Sequence, residues 1–445
     1  MPNFSKLVHQ INKFSARFRP LVPEMLWLGF GQLFVLVSGF ILIRVLTHQL
    51  SPSSYGIYSL WITIVGLGNQ VYFGAYGSSF ARYYSVATHR HQLNPYMATL
   101  AKVIKNSFLL AGALATTSIL LWILSPKNPD LFILAGFAIL LTVTSGTSSL
   151  FQAISNAARD RQKAAVALSI ENSLKIFFLT TVYAVSANNS PFQTIVISFL
   201  ASLISLVWLY NSLGFHRLTR KVALVDAEIS QWRALTSKFA QPLIFSGVFN
   251  WAFFSSQRWA LEFASGSSAV GKFFALSQLT YIPATLLFGF VLSLITPIIF
   301  NQGSDLSDKK RIKRGVRIID LLSIAVVLAS LLLSAFLLVY GKQYLLFFLP
   351  SGYSTNVLQG VLLILSSGIL HASIVSGQAL SLVNKPEMIL SLSTVGQLVL
   401  IAFNFFFAAF YGINGLVYSI LLGSLIHLIW MRVLVFRTLF AYKSL

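Results

Sequence analysis

Five charged residues stand where charge is expensive. Arg44, Lys175 and Arg258 fall inside long apolar runs, Arg82 closes another run, and Glu171 precedes Lys175 by four positions. Ionisable groups in such surroundings face a wet cavity, a partner or a transported ion, because hydrocarbon does not solvate them. Arginine adds a planar fork that meets phosphate oxygens with two donors at once. The chemistry on offer is therefore capture of an anion rather than bond making. The plainer role for Arg44 and Arg258 is to reach headgroups at a nearby interface along their apolar stems. Arg82 stands where a bias of basic residues towards the cytoplasm would place it anyway. Glu171 and Lys175 share a helix face with the glutamate first, the more stable order. They either secure helix packing or exchange partners, the carboxylate taking up a proton or Na⁺.

The elements that must position these groups are membrane spans. With 56% hydrophobic and 10% charged residues and a mean hydropathy of +0.76, the chain is a polytopic membrane protein. Windows of about 20 apolar residues, the length needed to cross hydrocarbon, predict twelve helices: 22–46, 56–77, 106–125, 131–153, 164–185, 192–212, 239–261, 273–300, 318–340, 357–380, 388–410 and 413–430. An even count puts both termini on one side. The termini and the even-to-odd connections hold 26 of the 32 Lys and Arg, so that side is the cytoplasm. This asymmetry accounts for the net charge of +21 without nucleic acid, and anionic headgroups are the natural counter-charge.

The chain then divides into a basic cytoplasmic leader (1–21), a six-helix bundle (22–213), a basic cytoplasmic linker (214–238), a second six-helix bundle (239–430) and a cytoplasmic tail (431–445). The expected fold is all-α, with two bundles around a central cavity. The absence of cysteine excludes disulfides and thiolate metal sites. His89 and His91 are too solitary for a metal site, and His371 and His427 read as hydrogen-bonded packing residues. Asp320, at the start of span nine, reads as neutralising Arg317.

An internal echo supports the two-half division. Arg44 precedes Tyr55-Gly56-Ile57-Tyr58 by about a dozen residues, and Arg258 stands at about the same distance before Val270-Gly271-Lys272-Phe273. Serine-rich turns, SPSS and SGSS, intervene in both.

The run from Arg44 to Tyr58, RVLTHQLSPSSYGIY, resembles the first-hairpin turn of bacterial polysaccharide repeat-unit flippases of the multidrug/oligosaccharidyl-lipid/polysaccharide exporter superfamily. The run from Phe73 to Tyr83, which carries Arg82, is similar to that family's exit from span two. Gln257-Arg258-Trp259 through Phe273 resembles its span-seven element, and YGINGLVYS from Tyr411 its start of span twelve. Two departures stand out: Gln257 replaces the acid that often precedes the arginine, and the turn SPSSYG carries no acids.

The resemblance implies translocation of undecaprenyl-diphosphate-linked oligosaccharide from the cytoplasmic to the outer leaflet of a bacterial inner membrane, by alternating access. Arg44, Arg82, Lys175 and Arg258 become the candidate diphosphate contacts, and Glu171 the candidate for H⁺ or Na⁺ coupling. No cofactor is implied. Membrane lipids, a polysaccharide polymerase and a chain-length regulator are the implied partners. A drug exporter of the same superfamily would favour acidic cavity residues for cationic cargo, whereas the deep charges here are mainly basic. A membrane polymerase or glycosyltransferase would need a catalytic carboxylate or histidine cluster, or a large extramembrane loop. The loops here are shorter than a folded domain of at least about 50 residues.

Overall fold

The computed structural model describes residues 22–124, 129–186, 188–215, 226–302, 309–353, 356–383, 385 and 387–443. Among them every regular element is helical. In chain order these are α1 (Val22–Gln49), α2 (Pro52–Gly68), α3 (Gly74–His89), α4 (Leu93–Leu124), α5 (Pro129–Ala157) and α6 (Arg161–Val185). There follow α7 (Pro191–Ser212), α8 (Asp226–Leu279), α9 (Tyr281–Gln302), α10 (Lys309–Phe348), α11 (Val357–Leu382) and α12 (Glu387–Lys443).

Nine helices among the described residues are long and apolar enough to cross a membrane. Two of those apolar stretches, Ala227–Thr296 and Thr394–Leu439, run to 70 and 46 residues, well beyond the roughly 20 that one crossing needs. The protein is a multi-pass membrane protein.

Local chemistry explains where the helices turn. Ser51 caps α2 by accepting from the backbone N–H of Ser54, and Pro52, which needs no N–H partner, opens the helix. Asn356 caps α11 through the N–H of Leu358. Inside α8 the chain reverses at Gly266, whose φ of +75° is accessible without strain only to glycine. Gly412 does the same for α12 at φ +56°. A π-turn over Asn69–Phe73 joins α2 to α3, a device that concentrates at functional sites.

Two compact units result. One comprises 22–38, 72–175 and 197–243 among the described residues, and the other 39–71, 176–196 and 244–443. The first hairpin thus packs within the same unit as the C-terminal helices. The core of the first unit is aromatic, with Phe80, Tyr96 and Trp232 almost fully buried. Trp232 belongs to the segment read as a linker. That segment is helical from Asp226 onward because this amphipathic stretch buries Trp232 against Tyr83 and Tyr96. The core of the second unit is aliphatic, drawn from α9 to α12 and including Met431 and Val435 of the expected tail. The 1–21 leader lies outside the described residues.

Candidate functional site

The two echoed turns meet each other inside the second unit. A Cβ built on Gly56 would stand 1.9 Å from the carbonyl oxygen of Ser267, and one built on Gly271 would stand 1.9 Å from that of Pro52. Each of these hypothetical carbons would also lie 3.0 Å from the other glycine's backbone nitrogen. Only glycine at both positions lets the start of α2 and the second segment of α8 cross backbone to backbone.

Above this crossing Tyr55 packs its ring against Tyr58, Phe274 and Tyr353. Tyr353, on the short turn Ser351–Tyr353, donates its hydroxyl to the carbonyl of Leu50 at 2.9 Å. Burial raises its phenol above the ordinary value, so it remains a donor.

Both repeat arginines bind across this region in the same way. Arg44 donates to the carbonyl of Phe347 and lies 4.2 Å from the centre of that ring. Thr47, nearly a turn further along, donates to the carbonyl of Phe348 at 3.1 Å. Phe347 and Phe348 end α10, where carbonyls lack intrahelical partners and a cation is favoured. Arg258 donates to the carbonyl of Ser59 at 3.0 Å and lies 4.4 Å from the centre of the Phe274 ring. Trp259 and Trp251, on the same stretch of α8, donate their indole N–H groups to Thr63, one to its hydroxyl and the other to its carbonyl. Each arginine therefore spends one donor direction and one face on protein and keeps further N–H groups.

The remaining candidates belong to the first unit. Lys175 donates to Glu171 at 2.6 Å, with side chains only 21% and 12% exposed, so the pair expected from the spacing forms. Arg82 is exposed on α3 and contacts no partner among the described residues. The structure thus places Arg44 with Arg258 in one unit and Arg82, Glu171 and Lys175 in the other.

Asp320 departs from expectation. It pairs with Arg432 of α12, which also donates to Ser323 at 2.8 Å, and not with Arg317. Arg317 lies on the same helix three positions before Asp320, whereas α10 and α12 bring Arg432 across from another helix. His371 and His427 are hydrogen-bonded as read, to the carbonyl of Ser367 and the hydroxyl of Ser373.

One carboxylate escaped the sequence reading. Glu262 lies four positions after Arg258 yet forms no ion pair with it; one oxygen accepts from Ser267 at 2.8 Å and the other is buried without a hydrogen bond. The spacing to Arg258 was the available signal, obscured because the span was taken to end at Leu261.

No protein-family model matches the sequence, and no curated protein matches it. Solved structures do match along nearly the whole chain. A point mutant of the Vibrio cholerae MATE transporter VcmN superposes with a TM-score of 0.64 at 14% identity, covering 96% of this chain and 98% of that one. The fold is that of these transporters. The lipid II flippase MurJ, in an inward closed conformation, matches with a TM-score of 0.65 at 14% identity over 92% of this chain and 86% of that one. A MOP superfamily transporter from Pyrococcus furiosus, described as having a binding pocket of reversed polarity, matches at 0.57 and 14% over 93% and 94%. Arg44 and Arg258 lie on α1 and α8, each ahead of one of the two glycines, Gly56 and Gly271, that form the crossing.

Proposed function

We propose that this chain flips an undecaprenyl-diphosphate-linked oligosaccharide from the cytoplasmic to the outer leaflet of a bacterial inner membrane. The observation that carries the reading is the pair of arginines on apolar helices, each of which, among the described residues, bonds to one carbonyl and lies over one aromatic ring. A diphosphate offers a stronger acceptor than either, through bidentate charge-assisted bonds.

In this reading transport proceeds by alternating access. While the glycine crossing is closed, the arginines bridge helices; when it parts, the same guanidinium groups become available to the cargo. Arg82, exposed on the side where basic residues accumulate, meets the diphosphate first. The Glu171–Lys175 pair then opens, the lysine joining the diphosphate while the carboxylate takes a proton or Na⁺. The prenyl tail stays in lipid, and a polymerase and chain-length regulator act on the delivered repeat unit.

The test is leaflet sidedness of undecaprenyl-diphosphate glycans in cells depleted of the protein. Accumulation on the cytoplasmic face with loss of polymer is expected, and normal sidedness would discard the reading. The structural likeness to MATE transporters keeps export of a small drug as the second reading. Restored drug resistance on expression in an efflux-deficient strain, with glycan sidedness unaffected, would favour it.

A further inference from the structure

A cavity of about 220 Å³ lies within the second unit, lined by α8, α11 and both segments of α12. Its walls are mostly apolar, Phe253 and Phe254 among them, and four polar residues also line it: Asn250, Gln378, Gln397 and His427. Their hydrogen-bonding capacity is largely unspent. Gln378 bonds to nothing among the described residues, and Gln397 and Asn250 share only a long contact of 3.5 Å. His427 uses Nδ1 on Ser373 and leaves Nε2 open.

Polar groups amid membrane helices need partners, since hydrocarbon supplies none. Here three carboxamide residues, each with donors and an acceptor, line one space large enough for a small ligand. Among the described residues no Lys, Arg, Asp or Glu lines it, so a cation or an anion would find no counter-charge there. The ligand that fits is neutral, about one ring in size, and carries an amide as well as an apolar face.

We propose that this cavity is a subsite for an uncharged acetamido sugar residue of the lipid-linked cargo, a proposal that rests on the flippase reading above. The acetamide N–H and C=O pair with the carboxamides of Gln378 and Gln397, the acetyl methyl lies among apolar walls, and the ring face packs on Phe253 or Phe254. Asn250 and His427 Nε2 meet ring hydroxyls. Sugar recognition is thereby separated from diphosphate capture by the arginines.

The test measures binding by the full-length protein in lipid nanodiscs. The probes are undecaprenyl diphosphate bearing one N-acetylhexosamine and bare undecaprenyl diphosphate. Wild type is expected to bind the glycosylated lipid more tightly. Gln378→Met, Gln397→Met and Asn250→Leu should each weaken that binding about tenfold, the scale of one lost hydrogen bond in a buried site. Their affinity for bare lipid should be unchanged, which also shows that each variant is folded. A glycosylated-lipid affinity unaltered in all three variants would overturn the subsite and leave the flippase reading standing. Loss of bare-lipid binding in variants with a wild-type thermal transition would overturn it too, assigning the cavity to the prenyl chain. Wild type binding neither lipid would remove the flippase reading itself.

Discussion

Gly56 and Gly271 face each other so closely that a methyl group on either would enter the partner helix's backbone, 1.9 Å from a carbonyl oxygen. The relationship is reciprocal: the carbonyls that would be struck, those of Pro52 and Ser267, each lie four residues before the opposing glycine. Two sequence-related turns thus form one symmetric crossing.

Gly56→Ala and Gly271→Ala should each force the backbones apart. The expected cost is at least 1–3 kcal/mol, the usual range for overpacking, read as a lowered thermal transition in detergent. A transition at the wild-type temperature for both would mean that the crossing is not this tight.

Arg44→Ala and Arg258→Ala should abolish export of lipid-linked glycan while protein remains in the membrane at normal amount. Lysine at either position should rescue only partly, because an ammonium lacks the planar fork. Export retained in both alanine variants would leave these residues as bridges between helices, Arg44 to the end of α10 and Arg258 to Ser59.

Lys175→Ala should lose transport by leaving Glu171 at depth without its ion-pair partner. If Glu171 carries the coupling ion, Glu171→Gln should lose transport as well. Transport surviving in Glu171→Gln alone would assign the lysine to the diphosphate and exclude the carboxylate from coupling.

Tyr353→Phe removes the donor to Leu50 from a ring that is 1% exposed. A loss of about 1 kcal/mol is expected from the unmade bond, measured as a shift in thermal unfolding. By contrast, Asp320→Asn should cost no more than about 1 kcal/mol, since both partners of its ion pair are well exposed.

Much of this architecture was legible in the chain. Spans follow from the length and apolarity a bilayer demands, a nearly local property, so runs of residues alone show a helical multi-pass membrane protein. The Glu171–Lys175 pair was equally legible, because an i, i+4 spacing on a helix fixes proximity by geometry. The echo between Arg44 and Arg258 could be seen as a repeat.

What the repeat was for could not be read there, since nothing local brings Gly56 within reach of Gly271, two hundred residues on. Asp320 shows the same limit: its neighbour Arg317 was the obvious partner, and the helix packing supplied Arg432. Gln378, Gln397 and Asn250 look unremarkable one by one, and only the convergence of three helices makes them a cavity. Hydropathy and helical period act over a few turns, so the sequence by itself determined the spans and their local pairs. Backbone crossings, helix-end capping by Arg44 and the shared cavity depend on which faces of distant helices meet, and the tertiary structure decided those.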